Sequence, residues 1–278
     1  MLLGFNASGS HQIVDMRECH ILAPPLFALV APLRALLVTM LPPKRAAEVQ
    51  LTLVDQGVDV ALKGVEVVGL EAVEALTAFC EGHRLARLTI DEGYGPEPRF
   101  EPQPVTITLG GVAVGFPTGA FLQATADGES ALVEAVIEAV GNARQPVDLF
   151  SGLGTFALAL DGQVTAAEAS RDAILSLKAA APRIRAEHRD LYRRPYDAGE
   201  LAAFDAIVLD PPRAGAVEQA RQIAASAVPR VAYVSCNPAT FARDAEILVA
   251  GGYRLDWAKP VGQFRWSTHV ELAAAFRR

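Results

Sequence analysis

The sequence lacks several features that would assign it to a particular class of protein. Among its 278 residues the longest mainly apolar stretch is 26–41, which Pro32 and Arg34 interrupt before it reaches the roughly 20 residues of a membrane span. Residues 1–5 have neither the basic segment nor the long apolar core of a signal peptide. Three widely spaced cysteines are too few for a disulfide framework. These absences predict a cytoplasmic protein with no membrane partner.

The chain also lacks the positive charge that is typical of nucleic-acid-binding proteins. Its formal net charge is −7, whereas binding to phosphates usually leaves a basic surface. The local exception is a cluster of five arginines, which fits a solvated surface and a phosphate contact equally well: Arg183, Arg185, Arg189, Arg193 and Arg194. Charge alone therefore does not identify a partner.

Residues 1–104 are predicted to form a small α+β domain. The pattern predicts the following elements: a hairpin at 4–14, helices at 25–41 and 70–83, and strands at 47–54, 58–63 and 85–91. The prolines within 93–104 predict a loop or domain edge. This half contains no catalytic constellation, and Cys19 and Cys80 are interpreted as buried thiols.

Residues 105–278 are predicted to form an α/β domain with a doubly wound, mostly parallel sheet, because strands alternate with helices of about ten residues. Predicted strands are 105–109, 112–114, 146–150, 163–167, 206–209, 230–235, 254–260 and 269–276. Predicted helices are 129–140, 155–161, 171–181, 216–227 and 240–250.

A glycine turn between a strand and a helix predicts a cofactor site. Gly152 and Gly154 allow close approach of the backbone to a ligand, and Thr155 begins the helix. Glu168, at the end of the next strand, suits the two hydroxyls of a ribose, and Asp190 suits an adenine amino group. Because the turn is not G-x-G-x-x-G, S-adenosylmethionine fits better than a dinucleotide. The alternative is an ordinary turn with surface acids.

The segment that follows the predicted strand 206–209 narrows the class of methyl transfer. Asp210 is followed by two prolines, which stiffen the loop and direct this carboxylate into the crevice. Amino-group methyltransferases have a similar D-P-P followed by an aromatic residue that stacks on the target base. Arg213 occupies that position here, which disfavours methylation of nitrogen.

Cys236, at the end of the predicted strand 230–235, supplies what methylation of a uracil carbon requires. A thiolate that adds to uracil C6 turns C5 into a nucleophile, and a base must afterwards remove the C5 proton. Glu271 suits that base if burial raises its pKa, and His269 is the rival candidate. Taken alone, Cys236 would be interpreted as a buried structural thiol; its place beside the predicted cofactor site favours the nucleophile.

Four motifs resemble the bacterial RNA 5-methyluridine methyltransferase family, and most closely its branch that modifies 23S rRNA. They are D-L-F-S-G-L-G-T-F at 148–156, L-D-P-P-R-A-G-A at 209–216, V-S-C-N-P-A-T-F-A-R-D at 234–244 and T-H-V-E at 268–271. The resemblance covers nearly the whole chain and implies a Rossmann-like methyltransferase domain at 105–278, with 1–104 as a candidate RNA-contacting domain.

The resemblance also implies roles for individual residues. Cys236 would be the nucleophile and Glu271 the base that removes the C5 proton. The residues that would line the S-adenosylmethionine site, or support it, are Gln123, Phe150, Gly152, Gly154, Thr155, Glu168, Asp190 and Asp210. The target uracil would have to leave its stack, which favours loops and single strands of RNA.

Two features of that branch are absent. The small N-terminal RNA-binding barrel, the TRAM domain, is missing, and of the four cysteines that hold an iron–sulfur cluster only Cys19 has a counterpart. One thiolate cannot hold a cluster, so neither a cluster nor another metal is expected, and RNA affinity is expected to be low. Either the chain is a fragment or its lineage has lost both features.

The sequence therefore predicts a S-adenosylmethionine-dependent RNA uracil-C5 methyltransferase with a covalent Cys236 adduct. The substrate is 23S rRNA or tRNA, with rRNA favoured, and no obligate protein partner is evident. The rivals are an amino-methylating enzyme of the D-P-P type and a non-catalytic remnant that binds cofactor or RNA. Loss of activity in Cys236→Ala would exclude the first, and turnover would exclude the second.

Overall fold

The chain consists of two compact units, Met1–Ile107 and Thr108–Arg278. The computed structural model describes residues 1–264, 267 and 269–278. In the described residues no helix has both the length and the apolar character that crossing a membrane would require.

The first unit is a four-stranded sheet packed against helices. Its elements are α1 Pro24–Ala28, α2 Val30–Met40, β1 Glu48–Val54, β2 Gly57–Lys63, α3 Leu70–Gly82, β3 Arg87–Asp91 and β4 Pro96–Phe100. The strands lie in the order β1-β2-β3-β4, and only β2 and β3 run parallel. Apolar faces of α2, α3, β2 and β3 form its core, which confirms an α+β arrangement.

Three local predictions for this unit need correction. The proline-rich segment predicted as a loop contains a strand, β4, which pairs with β3 at the sheet edge, where missing proline N–H groups cost no ladder bonds. The predicted hairpin at 4–14 is reduced to one isolated bridge between Asn6 and Ile13. The predicted helix 25–41 is two helices that meet at Leu29.

The second unit is a seven-stranded sheet with helices and a small hairpin. Its elements are β5 Thr106–Leu109, β6 Val112–Gly115, α4 Ala126–Val140, β7 Pro146–Leu149, α5 Thr155–Ala159, β8 Thr165–Glu168, α6 Arg171–Ala180, β9 Arg185–His188, α7 Ala198–Leu201, β10 Ala206–Leu209, α8 Val217–Ala225, β11 Arg230–Ser235, α9 Pro238–Ala250, β12 Arg254–Val261 and β13 Glu271–Arg277. The predicted alternation of strands and helices is confirmed. The sequence pattern missed the single-turn α7, which is too short to show a periodicity.

The large sheet has the order β12-β13-β11-β10-β7-β8-β9. Strands β9, β8, β7, β10 and β11 are parallel, while β13 is antiparallel to both of its neighbours. The chain leaves β7 toward β8 and later returns on its other side with β10, so the order reverses between β7 and β10. Ligands of open α/β sheets bind at such a reversal, outside the carboxyl ends of the strands.

Candidate active site

The carboxyl edge of the large sheet gathers both predicted catalytic residues and two of the predicted cofactor residues from separate parts of the chain. Phe150 follows β7, Asp210 follows β10 and Cys236 follows β11. Strand β13 runs the opposite way, so its first residue, Glu271, lies at the same edge. The sheet thus brings together side chains that are up to 121 positions apart in the sequence, from Phe150 to Glu271.

The pairing of β11 with β13 sets the relation between the two proposed catalytic groups. Ser235 pairs with Leu272, so the next residue in each direction, Cys236 and Glu271, are neighbours beyond the last pair. Leu209 pairs with Tyr233 on the other side of β11, which brings Asp210 to the same end. The thiol is exposed, whereas both carboxylates are half-buried.

Cys236 lies in a very short connection between a strand and a helix. Strand β11 ends at Ser235 and α9 begins at Pro238, whose fixed φ suits the first turn of a helix. Asn237 caps the helix by accepting a hydrogen bond from the backbone N–H of Ala239. The backbone N–H of Asn237 also donates to Ser235 Oγ, so the residues on both sides of the thiol are fixed.

Side chains of α9 and of its N-cap hold the loop after Asp210 by donating hydrogen bonds to carbonyl groups of that loop. The carbonyl of Arg213 accepts hydrogen bonds from Asn237 Nδ2 at 3.1 Å and Thr240 Oγ1 at 3.2 Å. The next carbonyl, that of Ala214, accepts from Arg243 Nη2 at 3.0 Å. The D-P-P loop and the cysteine connection therefore form one hydrogen-bonded assembly.

The buried carboxylate of Asp244 links the end of this loop to strand β11. Asp244 is fully buried, and its Oδ2 accepts hydrogen bonds from the Ala216 N–H at 2.6 Å and the Tyr233 hydroxyl at 2.7 Å. Its Oδ1 accepts from Arg243 Nε at 2.9 Å. Sequence reasoning missed this residue because its partners lie on three separate elements.

The predicted glycine turn forms a strained bend between β7 and α5. Phe150 has a φ of 63° and Gly154 has a φ of 94°, and a side chain at 154 would also meet Leu177 at 2.7 Å. By contrast, a Cβ atom at Gly152 would meet nothing within 4 Å. The turn is thus tightly packed at Gly154 and open at Gly152. Thr155 is the first residue of α5, as predicted.

Glu168 is fixed by the turn that it faces. Its Oε2 accepts the Gly152 N–H at 3.1 Å and its Oε1 accepts the Ser170 N–H at 2.7 Å. Each carboxylate oxygen retains a second lone pair, so the group can still accept two hydroxyls of a ligand.

Asp190 belongs to the turn that follows β9. Its Oδ1 accepts the backbone N–H groups of Tyr192 and Arg193, at 3.0 and 3.2 Å. The Tyr192 ring packs against Phe150, with 5.4 Å between centroids, and its hydroxyl donates to the carbonyl of Gly215. Asp190 thus supports a turn whose tyrosine connects the glycine turn with the D-P-P loop, a link that the sequence did not indicate.

Two buried polar atoms beside the glycine turn have no hydrogen-bond partner in the part of the chain that the structure describes. They are Asp148 Oδ1 and Ser151 Oγ, while Asp148 Oδ2 accepts the Ala157 N–H at 2.9 Å. Burial raises the pKa of Asp148 well above its usual value, and the charges of Asp210 and Glu168 raise it further. Asp148 is therefore neutral over a wider pH range than an exposed aspartate.

Burial raises the pKa of all three groups at this edge, and neighbouring carboxylates raise the pKa of two of them further. Burial and the charge of Glu271 raise the pKa of Asp210 to about 7. Burial raises the pKa of Glu271, which the charge of His269 lowers. Burial and the carboxylates of Glu271 and Asp210 raise the pKa of the Cys236 thiol, which Arg213 lowers. A site of this kind holds protons near neutral pH and can exchange them with a substrate.

Gln123 lies in the connection before α4 and is half-buried. Its Oε1 accepts a hydrogen bond from Nε2 of Gln263 at 2.7 Å. Gln263 follows β12 and is only 5% exposed, yet no sequence motif singled it out. The two residues are 140 positions apart, so the pair is visible only in the fold.

Further sequence predictions concern His269, the other two thiols and a metal site. His269 is exposed, and its backbone N–H donates to Ser267 Oγ. Cys80 is fully buried as predicted, with a pKa that burial raises to about 12, whereas Cys19 is only half-buried. The described residues include no group of three or more His, Cys, Asp or Glu that could hold a metal ion. The T-H-V-E motif includes residue 268, which lies outside the described residues.

The arginine cluster is mainly used within the chain. Arg183 donates to the carbonyls of Leu158 and Leu160. Arg189 is buried and pairs with Glu200. Arg185 and Arg193 form ion pairs at the surface. Arg194 is the exposed member that has no ion pair in the described structure. These contacts favour a structural reading of the cluster.

Comparison with known proteins identifies relatives for both the whole chain and its C-terminal part. Residues 199–278 match the model of the tRNA (Uracil-5-)-methyltransferase family. An RNA methyltransferase of Zymomonas mobilis is 52% identical over 100% of this chain and 72% of its own length. The 23S rRNA (uracil(1939)-C(5))-methyltransferase RlmD of Chromohalobacter salexigens is 35% identical over 97% of this chain and 60% of its own length.

The fold of this chain resembles the folds of solved structures. The Pyrococcus abyssi tRNA (uracil-54, C5)-methyltransferase, in complex with S-adenosyl-L-homocysteine, superposes with a TM-score of 0.75. That comparison covers 95% of this chain and 70% of the other, at 21% identity, and supports the fold alone. The structure of M. jannaschii TYW2 in complex with AdoMet superposes with a TM-score of 0.52 at 12% identity, over 82% of this chain and 100% of the other.

Proposed function

Because this chain belongs to the RNA uracil-5-methyltransferase family, we propose that it transfers a methyl group from S-adenosylmethionine to C5 of a uridine in RNA through a covalent adduct on Cys236. The observation that carries the proposal is the pairing of β11 with β13, which makes Cys236 and Glu271 neighbours at the carboxyl edge of the sheet. A nucleophile and a base are the two groups that this reaction needs from the protein.

The reaction begins at Cys236. Its thiol gives up a proton, and the sulfur adds to C6 of the uracil, which leaves C5 as an electron-rich carbon. Asp210 lies at the same sheet edge, and its pKa of about 7 suits the acceptance of that proton near neutral pH. Arg213 favours the thiolate by its charge.

Glu271 completes the reaction after C5 has gained its methyl group. Its carboxylate removes the C5 proton, the C5–C6 double bond forms again, and the sulfur leaves C6. Burial raises the pKa of Glu271, which makes its carboxylate a stronger base than an exposed glutamate. The departing thiolate takes its proton back from Asp210, and Glu271 passes the C5 proton to solvent.

The residues of the glycine turn fit the proposed cofactor. Glu168 retains lone pairs for two ribose hydroxyls, Gly152 has open space above it, and Ser151 Oγ is a buried hydroxyl without a partner among the described residues. When bound, S-adenosylmethionine would supply an electrophilic methyl group. Phe150, Gly154, Thr155 and Gln123 would line the same side of the crevice, and Asp190 would support its far end.

Among RNA classes we favour 23S rRNA over tRNA, since the relative with that named substrate is 35% identical over 97% of this chain. The three cysteines are free thiols, which supports the cytoplasm as the site of the reaction. Methylation assays with deproteinised 23S rRNA and with bulk tRNA would decide between the two classes. Faster labelling of tRNA would overturn the choice of rRNA while leaving the uracil chemistry in place.

The test of the chemistry is a trapped adduct. The protein is incubated with S-adenosylmethionine and 5-fluorouridine-substituted RNA, because fluorine at C5 cannot leave as a proton. We expect a covalent protein–RNA band on a denaturing gel for the wild type, and none for Cys236→Ala. Cys19→Ala is the matched control, since it removes a thiol of the first unit, Met1–Ile107.

Glu271→Gln separates the base from the nucleophile. This variant should form the adduct on ordinary RNA and hold it, because the C5 proton can no longer be removed, while turnover falls at least ~100-fold. An amino-methylating enzyme would give no adduct and would tolerate Cys236→Ala. A non-catalytic protein would bind S-adenosylmethionine and give neither adduct nor product.

A further inference from the structure

Gln263 is a buried glutamine in the connection after β12, in which the other described residues are mostly exposed. It is 5% exposed, whereas the next residue, Phe264, is 39% exposed. Its amide makes two hydrogen bonds with the segment before α4: Thr125 N–H donates to its Oε1 at 3.2 Å, and its Nε2 donates to Gln123 Oε1 at 2.7 Å. A Cβ atom at Gly128 would lie 2.6 Å from Gln263 Cγ, so the packing leaves room only for glycine there.

These two bonds determine which way the Gln123 amide faces. A backbone N–H only donates, so the group of Gln263 that faces Thr125 must be its carbonyl oxygen. The other end of the Gln263 amide is then its nitrogen, which also only donates. Gln123 must therefore present its own carbonyl to Gln263. This leaves the Gln123 nitrogen, with two N–H donors, for a ligand.

The three acidic residues among the predicted cofactor contacts indicate which part of the ligand those donors meet. Glu168, Asp190 and Asp210 are carboxylates and accept hydrogen bonds from hydroxyl, amino or ammonium groups. None of them can bind the methionyl carboxylate, which is the anion of S-adenosylmethionine and needs donors. The amide nitrogen of Gln123 is a neutral donor of the required polarity.

We infer that Gln263 is a positioning residue, which holds Gln123 with its N–H donors toward the methionyl carboxylate of the cofactor. The inference rests on the proposed function, because it assumes that S-adenosylmethionine binds at Gln123. Gln263 acts through Gln123 and touches neither cofactor nor substrate. If the Gln263 amide is replaced, the Gln123 amide rotates by half a turn. It then presents its carbonyl oxygen to the carboxylate of the ligand, and the two oxygens repel each other.

The test compares two ligands by isothermal titration calorimetry with the full chain. One ligand is S-adenosylhomocysteine, and the other is S-adenosyl-3-thiopropylamine, which lacks only the carboxylate. Gln263→Glu keeps the shape and the acceptor for Thr125 but cannot donate to Gln123. We expect it to raise the Kd for S-adenosylhomocysteine at least tenfold and the Kd for the amine less than twofold. Gln263→Met, which adds no charge, should raise the first Kd at least threefold.

A double variant separates positioning from a general effect of charge or fold. In a Gln123→Met background the loss caused by Gln263→Glu should disappear, because no amide remains to be oriented. Gln219→Glu is the matched control. Gln219 is another buried glutamine, 1% exposed, that bonds the backbone N–H and carbonyl of Tyr196. This control should lower the melting temperature without distinguishing the two ligands.

The outcomes are distinct. An equal loss for both ligands, no loss, or a loss that persists in the Gln123→Met background would overturn the role of Gln263 while leaving the proposed function intact. Failure of the folded wild type to bind S-adenosylhomocysteine would overturn the cofactor assignment and, with it, this inference. A loss confined to S-adenosylhomocysteine that vanishes without Gln123 would establish the positioning role.

Discussion

The Cys236 thiol competes for protons with two carboxyl groups and is favoured in its ionised form by one guanidinium. Burial and the charges of Glu271 and Asp210 raise its pKa, and the charge of Arg213 lowers it. The resting enzyme therefore holds a thiol, and the thiolate forms only as its surroundings change. This arrangement protects an exposed cysteine from oxidation, since the thiolate is the reactive form.

The opposite signs of these neighbours give a testable pH dependence. Asp210→Asn removes a negative charge, so the thiolate should form at lower pH, whereas Arg213→Gln should move its formation to higher pH. The measurement is the rate of alkylation of Cys236 by iodoacetamide against pH, in the absence of RNA. The midpoint should fall for the first variant and rise for the second, each by at least ~0.3 pH units.

The other two thiols do not confuse this measurement. Cys80 is fully buried with a pKa of about 12, and Cys19 is removed by working in a Cys19→Ser background. A midpoint that moves in the same direction in both variants would show that the electrostatic account of Cys236 is wrong.

At the residue scale, sequence reasoning works for groups that belong to local motifs. Cys236, Glu168 and the glycine turn are recognisable because each lies at the end of a strand or directly after it. Gln263 is not recognisable, because its meaning depends on a partner 140 positions away. The same holds for Asp244, an acid in a helical sequence that the fold buries completely.

At the element scale, the rigidity of the D-P-P loop depends on α9 and β11. Asp244, on α9, accepts bonds from the Ala216 N–H at the end of that loop and from the Tyr233 hydroxyl on β11. The strand, the loop and the helix are thus joined at one buried carboxylate. The edge that carries the proposed catalytic groups owes its geometry to this joint as well as to the pairing of the strands.

Variants of this joint should differ in cost. Tyr233→Phe removes one of two bonds to Asp244 Oδ2 and should lower the free energy of unfolding by ~1 kcal/mol. Asp244→Ala leaves two buried donors and the Arg243 guanidinium without their acceptor, and should cost ~3 kcal/mol or more. Urea denaturation measures both. Equal costs would mean that Asp244 does not bridge the three elements.

The element predictions succeed where a strand is buried and continuous. Strands β7, β10 and β11 were predicted within one residue, because apolar runs bounded by turn signals leave little choice. The edge strand β4 was missed because its prolines read as a loop, although an edge tolerates them. Residue propensities do not show which strands pair. A proline destabilises a strand only where its missing N–H would face a pairing partner.

At the scale of the whole molecule, the order of the strands determines the site. Strand β13 enters the sheet between β11 and β12 and runs antiparallel to both. Strand β12 returns the chain to the carboxyl edge, and β13 begins there with Glu271, 35 positions after Cys236. The alternation of strands and helices predicts a doubly wound sheet, but the place of β13 follows from long-range pairing that no local pattern records.

All proposed catalytic and cofactor residues lie in the second unit, Thr108–Arg278, which has a core of its own. Residues 105–278 expressed alone should therefore fold and bind S-adenosylhomocysteine within ~3-fold of the full chain, since a domain with its own core folds independently. The first unit is proposed to contact RNA. The separated second unit should thus lose most RNA methylation while it retains the ligand affinity.

The measurements are calorimetry with S-adenosylhomocysteine and methyl transfer to rRNA, made side by side on 105–278 and on the full chain. A net charge of −7 gives the chain little general attraction for phosphates, so any RNA affinity must come from specific contacts. Full methylation by 105–278 would place those contacts in the second unit. A folded 105–278 that binds no ligand would mean that the cofactor site requires the first unit.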